Sequence, residues 1–294
     1  MIDRSPTIAI LAPGEMGAAV AELLQSKGLR IVTTLQGRAD RTAILCRQAG
    51  LIVLDSLEAV ARESNIVISL VPPDAAEIVA LGYAAFAAII PARALFIDAN
   101  SIRPDSIAKI AGVLNAAGIE FLDASINGLA KNLRTGGTLF LSGLRADEIA
   151  RLFGDAMRVK ILGAEPGRAS AMKMLLGGLS KGTCALFLEL SIVAQRQGIL
   201  PEMLEATASI YPGIHALIDR MLPTYTHHAQ RRAVEMSELT AMTLSNNIQP
   251  GIIKAIHHLH SQLAELLVNQ NIPDPTTTTL IEQLGSKDFL KIET

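Results

Sequence analysis

A short glycine-containing turn lies near the start of the chain. Ala12-Pro13-Gly14-Glu15-Met16-Gly17 follows an apolar run of strand type and precedes a stretch with helical spacing. It matches the dinucleotide-binding pattern G-x-G-x-x-G except that Ala12 replaces the first glycine, which works if the φ angle of Ala12 is negative. Gly14 leaves bare backbone for a pyrophosphate at the helix N-terminus, and Gly17 permits close packing of helix on strand. An ordinary strand-to-helix turn is the alternative interpretation.

The end of the next strand carries basic rather than acidic side chains. Leu35-Gln36-Gly37-Arg38-Ala39-Asp40-Arg41 follows a β-branched run. Sites for NAD place a carboxylate at this strand tip to bind the ribose 2′-hydroxyl, whereas arginine pairs well with a 2′-phosphate. Gln36, Gly37, Arg38 and Arg41 are therefore predicted to hold NADP, with a solvated basic loop as the alternative. Asp40 is expected to cap the following helix.

Polar residues follow later strands, at the positions where open α/β sheets bind ligands. Ser101, Asn127 and the backbone of Gly128 could hold a carboxylate or a hydroxyl group. Asn100 is predicted to touch the nicotinamide half of the cofactor. Because Asn and Ser are common in loops, ordinary turn chemistry is the alternative for each position.

Two lysines share one face of a long helical stretch in the middle of the chain. Gly177, Ser180 and Lys181 follow Lys173 at spacings of four, seven and eight residues. A lysine can take or give the proton of a substrate hydroxyl when burial or a nearby cation lowers its pKa, and Lys181 is a candidate for that cation. Gly177 costs about 1 kcal/mol relative to alanine inside a helix, which leaves space for a ligand or for a closely packed helix. Both lysines could equally be surface residues.

Other titratable residues give weaker indications. Three histidines lie close together in the last part of the chain: His257, His258 and His260. They lack a carboxylate at ligand spacing and are predicted to be solvated, so no metal is expected. Arg231 and Glu235 have the spacing of a surface ion pair. For His227 and His228 the sequence fixes no role.

The elements that must position these residues change in type along the chain. Strands alternate with helices in the first half, which predicts βαβ units in a mainly parallel, doubly wound sheet covered by helices on both faces. After Glu165-Pro166-Gly167 the pattern is helical, beginning with one stretch from Ala169 to Gln197. The sequence therefore predicts an α/β domain over residues 1–164 and an all-α domain over residues 165–294.

Composition excludes several classes of protein. The 294 residues carry 26 basic and 28 acidic side chains, a balance that argues against a nucleic-acid or anionic-membrane binder. Cys46 and Cys184 form no CxxC pair, which fits a reducing compartment. No uncharged run reaches the roughly 20 residues of a membrane span, and the N-terminus lacks a secretory pattern. A cytoplasmic protein without nucleic-acid or membrane partners is expected.

In combination these motifs resemble the β-hydroxyacid dehydrogenase superfamily, which includes 3-hydroxyisobutyrate and 6-phosphogluconate dehydrogenases. Val71-Pro72-Pro73 resembles the loop that passes the nicotinamide ribose, and Asp98-Ala99-Asn100-Ser101 resembles the D-x-S-T strand end. Asp123-Ala124-Ser125-Ile126-Asn127-Gly128 resembles the substrate loop, and the segment from Gly163 to Lys173 resembles the approach to the catalytic lysine.

The chain is more similar still to a little-characterised branch, labelled as 6-phosphogluconate dehydrogenase NAD-binding-domain proteins. Four segments carry this likeness: Leu35–Arg38, Glu165–Gly167, Leu179–Gly182 and Arg231–Met236. The chain departs from the better-known members at Asn127 and Leu129, at Gly177 and at Glu235-Met236. These departures argue against hydroxyisobutyrate and phosphogluconate as substrates of this protein.

The resemblance implies a Rossmann-type NADP-binding domain, with Val71 and Pro72 at the cofactor, followed by a helical substrate and dimerisation domain. The implied reaction transfers a hydride between the nicotinamide and a small β-hydroxy acid or related carbonyl compound, with Lys173 as general acid/base. It also implies that Ser101, Asn127, Gly128, Gly177 and Lys181 lie at the substrate. The alternatives are an imine reductase, against which Lys173 argues, and a non-catalytic NADP-binding sensor or scaffold.

The long central helix also bears on assembly. Leu186, Phe187, Leu190 and Ile192 give it apolar surface on more than one side, which predicts burial against a second subunit. The related dehydrogenases are commonly dimers built through this domain. A homodimer is therefore expected.

Overall fold

A computed structural model of the protein describes residues 6–38, 40–90, 93–267 and 275–286. The chain divides into two compact units, Met1–Lys173 and Met174–Thr294. The division falls inside one long helix, a little beyond the boundary that the change of pattern near residue 165 predicts.

Eight strands form one sheet in the first unit. They are β1 (Thr7–Leu11), β2 (Arg30–Thr34), β3 (Ile52–Leu54), β4 (Ile66–Ser69), β5 (Leu95–Asp98), β6 (Phe121–Asn127), β7 (Thr138–Ser142) and β8 (Arg158–Ile161). Their order in the sheet is β3-β2-β1-β4-β5-β6-β7-β8. Every pairing is parallel except the antiparallel pairing of β6 with β7. The direction of winding reverses between β1 and β4, and sheets of this kind bind ligands at the carboxyl ends of such strands.

Helices cover both faces of this sheet. They are α1 (Glu15–Gln25), α2 (Asp40–Gln48), α3 (Leu57–Glu63), α4 (Ala76–Ala87), α5 (Pro104–Ala116), α6 (Leu133–Gly136) and α7 (Ala146–Phe153). Alternate residues of β1 enter two separate apolar cores because side chains of a strand point to opposite faces. Ile8 and Ile10 belong to the core beneath α1 and α7, and Ala9 and Leu11 to the core beneath α4 and α5. The central strands are therefore apolar throughout rather than alternating.

Helices make up the described part of the second unit. They are α8 (Arg168–Arg196), which begins in the first unit, α9 (Leu200–Ile210), α10 (Pro212–Met221), α11 (Tyr225–Ser245), α12 (Gly251–Leu267) and α13 (Thr277–Gly285). Their core contains Cys184 and Leu188 of α8 with Leu259 and Leu263 of α12. The predicted fold class, a doubly wound α/β sheet followed by helices, is confirmed. Four short elements were not predicted: β3, α3, α6 and α7.

One helix, α8, is both long and strongly apolar. Among the described residues, α8 alone has the length and composition to cross a membrane, and 39% of its most apolar window is buried. Reading uncharged runs in the sequence does not detect it, because Lys173, Lys181 and Glu189 interrupt the run. The core helix of a soluble protein passes the same test, so this single helix is weak evidence for a membrane segment.

Candidate functional site

The glycine turn leads from the carboxyl end of β1 into α1. Gly14 occupies the N-cap position with extended backbone, φ −71° and ψ −163°, and supplies no capping side chain. A Cβ atom at Gly14 would meet no other atom within 4 Å. The N-terminus of α1 is therefore bare backbone beside open space, which is the arrangement that binds phosphate groups.

Gly17 lies one turn into α1, where the helix approaches the sheet. A Cβ atom there would come within 3.1 Å of Pro13 Cβ and 3.2 Å of Ile10 Cγ2. Both contacts are tighter than an ordinary van der Waals contact. The close helix-on-strand packing predicted for Gly17 is present.

The expected backbone of Ala12 is wrong. Its φ angle is +52°, in the left-handed region, and not negative. The carbonyl oxygen of Ala12 accepts a hydrogen bond from Gly14 N at 2.8 Å, so the tight turn forms in spite of this conformation. A left-handed alanine is strained because its Cβ crowds the following carbonyl. The pattern's first glycine is thus absent from a position where the backbone favours it.

The two arginines after β2 have different surroundings. Arg38 follows Gly37, whose φ is +71°, and its backbone N donates to Leu35 O at 2.9 Å. Within the described part of the chain the Arg38 guanidinium makes no ion pair. Arg41, in contrast, pairs with Glu15 at 2.8 Å. Gln36 is exposed in the same turn, and Asp40 is the first residue of α2.

The next strand ends of the sheet carry a buried polar cluster. Asn100 is 2% exposed, and its Nδ2 donates to Asp98 Oδ2 at 2.9 Å and to Ser69 Oγ at 3.1 Å. Its backbone N donates to Asp98 Oδ1 at 2.9 Å. Asn100 Oδ1 is buried and accepts no hydrogen bond from any described residue. Since two acceptors fix the orientation of the amide, its oxygen is available to a donor on a ligand.

Asp98 has an unusual protonation equilibrium. Burial raises its pKa to about 6, the neighbouring Asp123 carboxylate adds to the rise, and two hydrogen bonds from Asn100 oppose it. The carboxylate that orients Asn100 therefore loses its charge in mildly acidic solution.

Other residues predicted at the cofactor or the substrate lie at the same edge of the sheet. Val71, just after β4, is buried, and Pro72 is exposed at the start of a short 3₁₀ turn. Ser101 is exposed beside Asn100.

Asp123 anchors the start of α8 to the sheet. Its Oδ2 accepts hydrogen bonds from the backbone N atoms of Gly167 (2.8 Å), Ala169 (2.9 Å) and Ser170 (3.1 Å). Ser142 Oγ donates to the same oxygen at 2.8 Å, and Ser170 Oγ donates to Oδ1 at 2.6 Å. The carboxylate thus caps a 29-residue helix from within the sheet.

This anchor fixes the first turn of α8, the helix that carries Lys173, to the sheet. Asp98 and Asp123 are direct partners in the register of β5 with β6. Ser125 Oγ, two residues along β6, donates to Ala169 O at 2.6 Å. Lys173 lies in the second turn of α8 and is partly buried. The helix that carries this lysine is therefore tied to the strands whose ends hold Asp98 and Asn100.

The loop after β6 is shaped by its glycines. Asn127 is exposed at the end of the strand. Gly128 has φ +143°, and a Cβ atom there would lie 2.9 Å from Gly137 Cα. A glycine is required at position 128 by the backbone itself, whatever its role toward a ligand.

In the second unit, Lys181 is a buried cation. It is 8% exposed, its Nζ lies 2.8 Å from Glu235 Oε2, and it donates to Gly177 O at 3.2 Å. A Cβ atom at Gly177 would lie 2.9 Å from Lys181 Nζ. The space expected for a ligand or a packed helix at Gly177 is therefore filled by the Lys181 ammonium group. Lys181 is also not an uncompensated second cation, because Glu235 neutralises it.

Glu235 was missed as a structural partner of Lys181. Burial raises its pKa, but Lys181 and the arginines Arg231 and Arg232 outweigh burial, so the pKa lies below its usual range. The exposed Arg231 approaches Glu235 at 3.5 Å, as its spacing predicts. His227 and His228 are exposed on α11.

The solvated character predicted for the three histidines is wrong for His260. It is 0% exposed, its Nε2 lies 2.8 Å from Tyr225 Oη, and its Nδ1 lies 2.9 Å from Ile256 O. Burial lowers its pKa to about 4. Arg232 stacks over the Tyr225 ring at 4.0 Å.

Within the described residues no group of three His, Cys, Asp or Glu side chains could hold a metal ion.

Comparison with known proteins places this arrangement in a family. A family described as the NAD binding domain of 6-phosphogluconate dehydrogenase matches residues 7–153, and a domain of unknown function (DUF1932) matches residues 194–263. An uncharacterised 28.5 kDa protein of Methanothermus fervidus is 25% identical over 88% of this chain and 99% of its own length. The 3-hydroxyisobutyrate dehydrogenase of Pseudomonas aeruginosa is 31% identical over 49% of this chain and 48% of its own length.

Solved structures extend the likeness over most of the chain. A conserved protein of unknown function, described as structurally similar to 3-hydroxyacid dehydrogenases, is 29% identical with a TM-score of 0.70, covering 89% of this chain and 98% of its own. The 3-hydroxyisobutyrate dehydrogenase of Mycobacterium tuberculosis shares the fold, with a TM-score of 0.76 at 18% identity over 96% of this chain and 99% of its own. With residues 7–153 matched, the chain belongs to the family of 6-phosphogluconate dehydrogenase NAD-binding domains.

Proposed function

We propose that the protein is an NADP-dependent oxidoreductase that acts on a small β-hydroxy acid or a related carbonyl compound. The observation that carries this proposal is the set of hydrogen bonds between Asp123 and the first turn of α8. It ties the helix of Lys173 to the strand ends where Asn100 has an oxygen that no described residue hydrogen-bonds. The proton-transfer group, Lys173, and the cofactor-binding group, Asn100, are then both attached at the same edge of one sheet.

The residues at this edge fit a dinucleotide. The bare N-terminus of α1 suits a pyrophosphate, and the Arg38 guanidinium suits a 2′-phosphate. Asn100 Oδ1 would accept a hydrogen bond from an N–H or O–H group of the nicotinamide half. When bound, the nicotinamide would supply or accept the hydride.

Lys173 would move the accompanying proton. In the oxidative direction neutral Nζ takes the proton of the substrate hydroxyl while the hydride leaves the carbon that bears it, so that a C=O bond forms. In the reductive direction the ammonium form gives the proton back to the oxygen. Ser101, Asn127 and the Gly128 N–H would hold the substrate carboxylate.

The test is a screen of NADPH turnover against a panel of oxo acids and imines, followed by Lys173→Met. Met keeps the helix and nearly the length of lysine, so cofactor affinity should stay within a few-fold. Turnover should fall by roughly 10²–10⁴, the usual contribution of one positioned proton-transfer group. Lys109→Met, on an exposed face of α5, is the matched control and should keep full turnover.

Three outcomes distinguish the functions. Turnover of oxo acids that depends on Lys173 supports the proposal. Turnover of imines alone favours the imine reductase. Cofactor binding without turnover of any compound favours the sensor or scaffold.

A further inference from the structure

An acidic residue begins the helix whose N-terminus would face the pyrophosphate of the proposed cofactor. Glu15 is the first residue of α1, immediately after the bare N-cap at Gly14. Its carboxylate is 68% exposed and pairs with Arg41 at 2.8 Å. A helix N-terminus attracts a phosphate because its N–H groups carry partial positive charge. A single carboxylate at that terminus cancels part of this attraction and repels the two negative charges of a pyrophosphate.

Arg41 is placed to remove that repulsion. Its guanidinium is 80% exposed, on the first turn of α2, and reaches across to α1 through its ion pair with Glu15. An ion pair this exposed contributes little to folding, so stability gives weak reason for it. A bound dianion, however, is strongly repelled by a bare carboxylate nearby and much less by one whose charge an arginine neutralises.

Arg38 differs in this respect. Among the residues that the structure describes, its guanidinium has no carboxylate partner, and it follows directly on the turn at Gly37. It can pair with a phosphate without breaking an ion pair to any described residue.

From these contacts we infer that the two arginines do different work. Arg41 neutralises Glu15 so that the N-terminus of α1 can accept the pyrophosphate shared by NAD and NADP, and Arg38 alone distinguishes NADP by its 2′-phosphate. It differs from the sequence-based prediction, which assigns both arginines to the 2′-phosphate. The inference rests on the proposed dinucleotide site.

The experiment measures the affinity of the full-length protein for NADP⁺ and for NAD⁺ by calorimetry at low salt. Arg41→Ala should weaken both cofactors equally, by roughly three- to tenfold, because it exposes the Glu15 charge to a group that both share. Glu15→Gln in the Arg41→Ala background should restore both affinities to within about twofold. Arg38→Ala should weaken NADP⁺ at least tenfold and leave NAD⁺ nearly unchanged.

A matched control and the contrary outcomes complete the design. Arg62→Ala removes another surface ion pair, with Glu58 on α3, and should change neither affinity. Loss of NADP⁺ affinity alone in Arg41→Ala would overturn the inference, as would equal loss that Glu15→Gln does not restore, or no loss at all. If the wild-type protein binds neither cofactor, the proposed function fails together with the inference.

Discussion

At the scale of single residues, the strained backbone of Ala12 destabilises the fold, and a substitution could remove that strain. Its φ of +52° is a conformation that costs an alanine about 1–2 kcal/mol. Ala12→Gly should relieve this strain, and the greater freedom of glycine in the unfolded chain should offset part of the gain. We expect the free energy of unfolding to rise by up to about 1 kcal/mol, measured by urea denaturation.

The control for Ala12→Gly lies in the helix that follows. Ala21→Gly, at a buried position inside α1, should lower the free energy of unfolding by about 1 kcal/mol or more. A loss of stability in Ala12→Gly as well would show that the left-handed turn is not strained.

His260 predicts how stability depends on pH. Its folded pKa of about 4 lies below the usual 6.5 of an unfolded histidine, so the unfolded chain binds the proton more readily. The contribution is complete above about pH 6.5 and is lost as pH falls toward 4, amounting to about 3 kcal/mol. His260→Gln should flatten this part of the unfolding profile, while His258→Gln on the exposed face should retain it.

Asp98 titrates in the same range with the opposite sign. Its folded pKa of about 6 lies above its unfolded value, so its contribution is complete below about pH 4 and is lost as pH rises through 6. The difference between the wild-type and His260→Gln profiles isolates the histidine. An identical slope in both proteins between pH 6.5 and 4 would contradict its buried, neutral state.

At the scale of elements, the junction between β6 and α8 depends on one carboxylate. Asp123→Asn keeps the shape of the side chain but removes its charge and turns an acceptor into a donor that faces Ser170 Oγ. Hydrogen bonds to a buried charged group are worth more than neutral ones, so the free energy of unfolding should fall by about 2–4 kcal/mol.

The matched control for this junction is Asp105→Asn. Asp105 lies at the exposed start of α5, where it pairs with Arg103 at 3.0 Å. The change should cost less than about 1 kcal/mol. Equal effects of the two substitutions in chemical denaturation would refute the anchoring role of Asp123.

The elements themselves were predictable where the pattern was long. β1, β4 and β5 read as apolar runs because both faces of these strands are buried. β3 escaped prediction because it has three residues at the sheet edge, with Ile52 and Val53 each 45% exposed. α3 and α7 have seven and eight residues, too few to repeat a helical period convincingly.

The site was predictable where its chemistry is local in sequence. The glycine turn and the loops after the strands are each read from a few neighbouring residues. Ser170 and Asp123 are 47 residues apart, and Tyr225 and His260 are 35 apart. No spacing rule reveals such pairs, which is why the partners of Asp123, Lys181 and His260 emerge only from the fold.

At the scale of the whole molecule, α8 presents an apolar stripe to solvent. Its members recur at helical spacing and are each about half exposed or more: Leu175 (54%), Leu179 (70%), Leu186 (62%), Leu190 (49%) and Val193 (54%). Phe187 and Ile192, on another side of the helix, are buried in the core of the second unit. A continuous exposed stripe of this kind marks an interaction surface.

We predict that this stripe joins two copies of the chain in a homodimer. The double substitution Leu179→Glu and Leu186→Glu should convert the dimer to a monomer, measured by light scattering at micromolar concentration. Ile78→Glu on α4, at a position 71% exposed, is the control and should leave the mass unchanged. A wild-type protein that scatters as a monomer would contradict the prediction.

The bonds of Asp123 also determine where the chain can be divided into exchangeable modules. Ala169 and Ser170 belong to α8 by their conformation, yet their N–H groups donate hydrogen bonds to the side chain of Asp123 on β6. A gene rearrangement that joined a new helical half directly after β8 would leave the buried Asp123 carboxylate with Ser142 Oγ alone of the five hydrogen-bond donors described above, a costly state. The smallest transferable N-terminal module therefore extends past Ser170. Any replacement segment must therefore begin after Ser170 and continue α8 in phase with its first turn, so that the hydrogen bonds of Asp123 are kept.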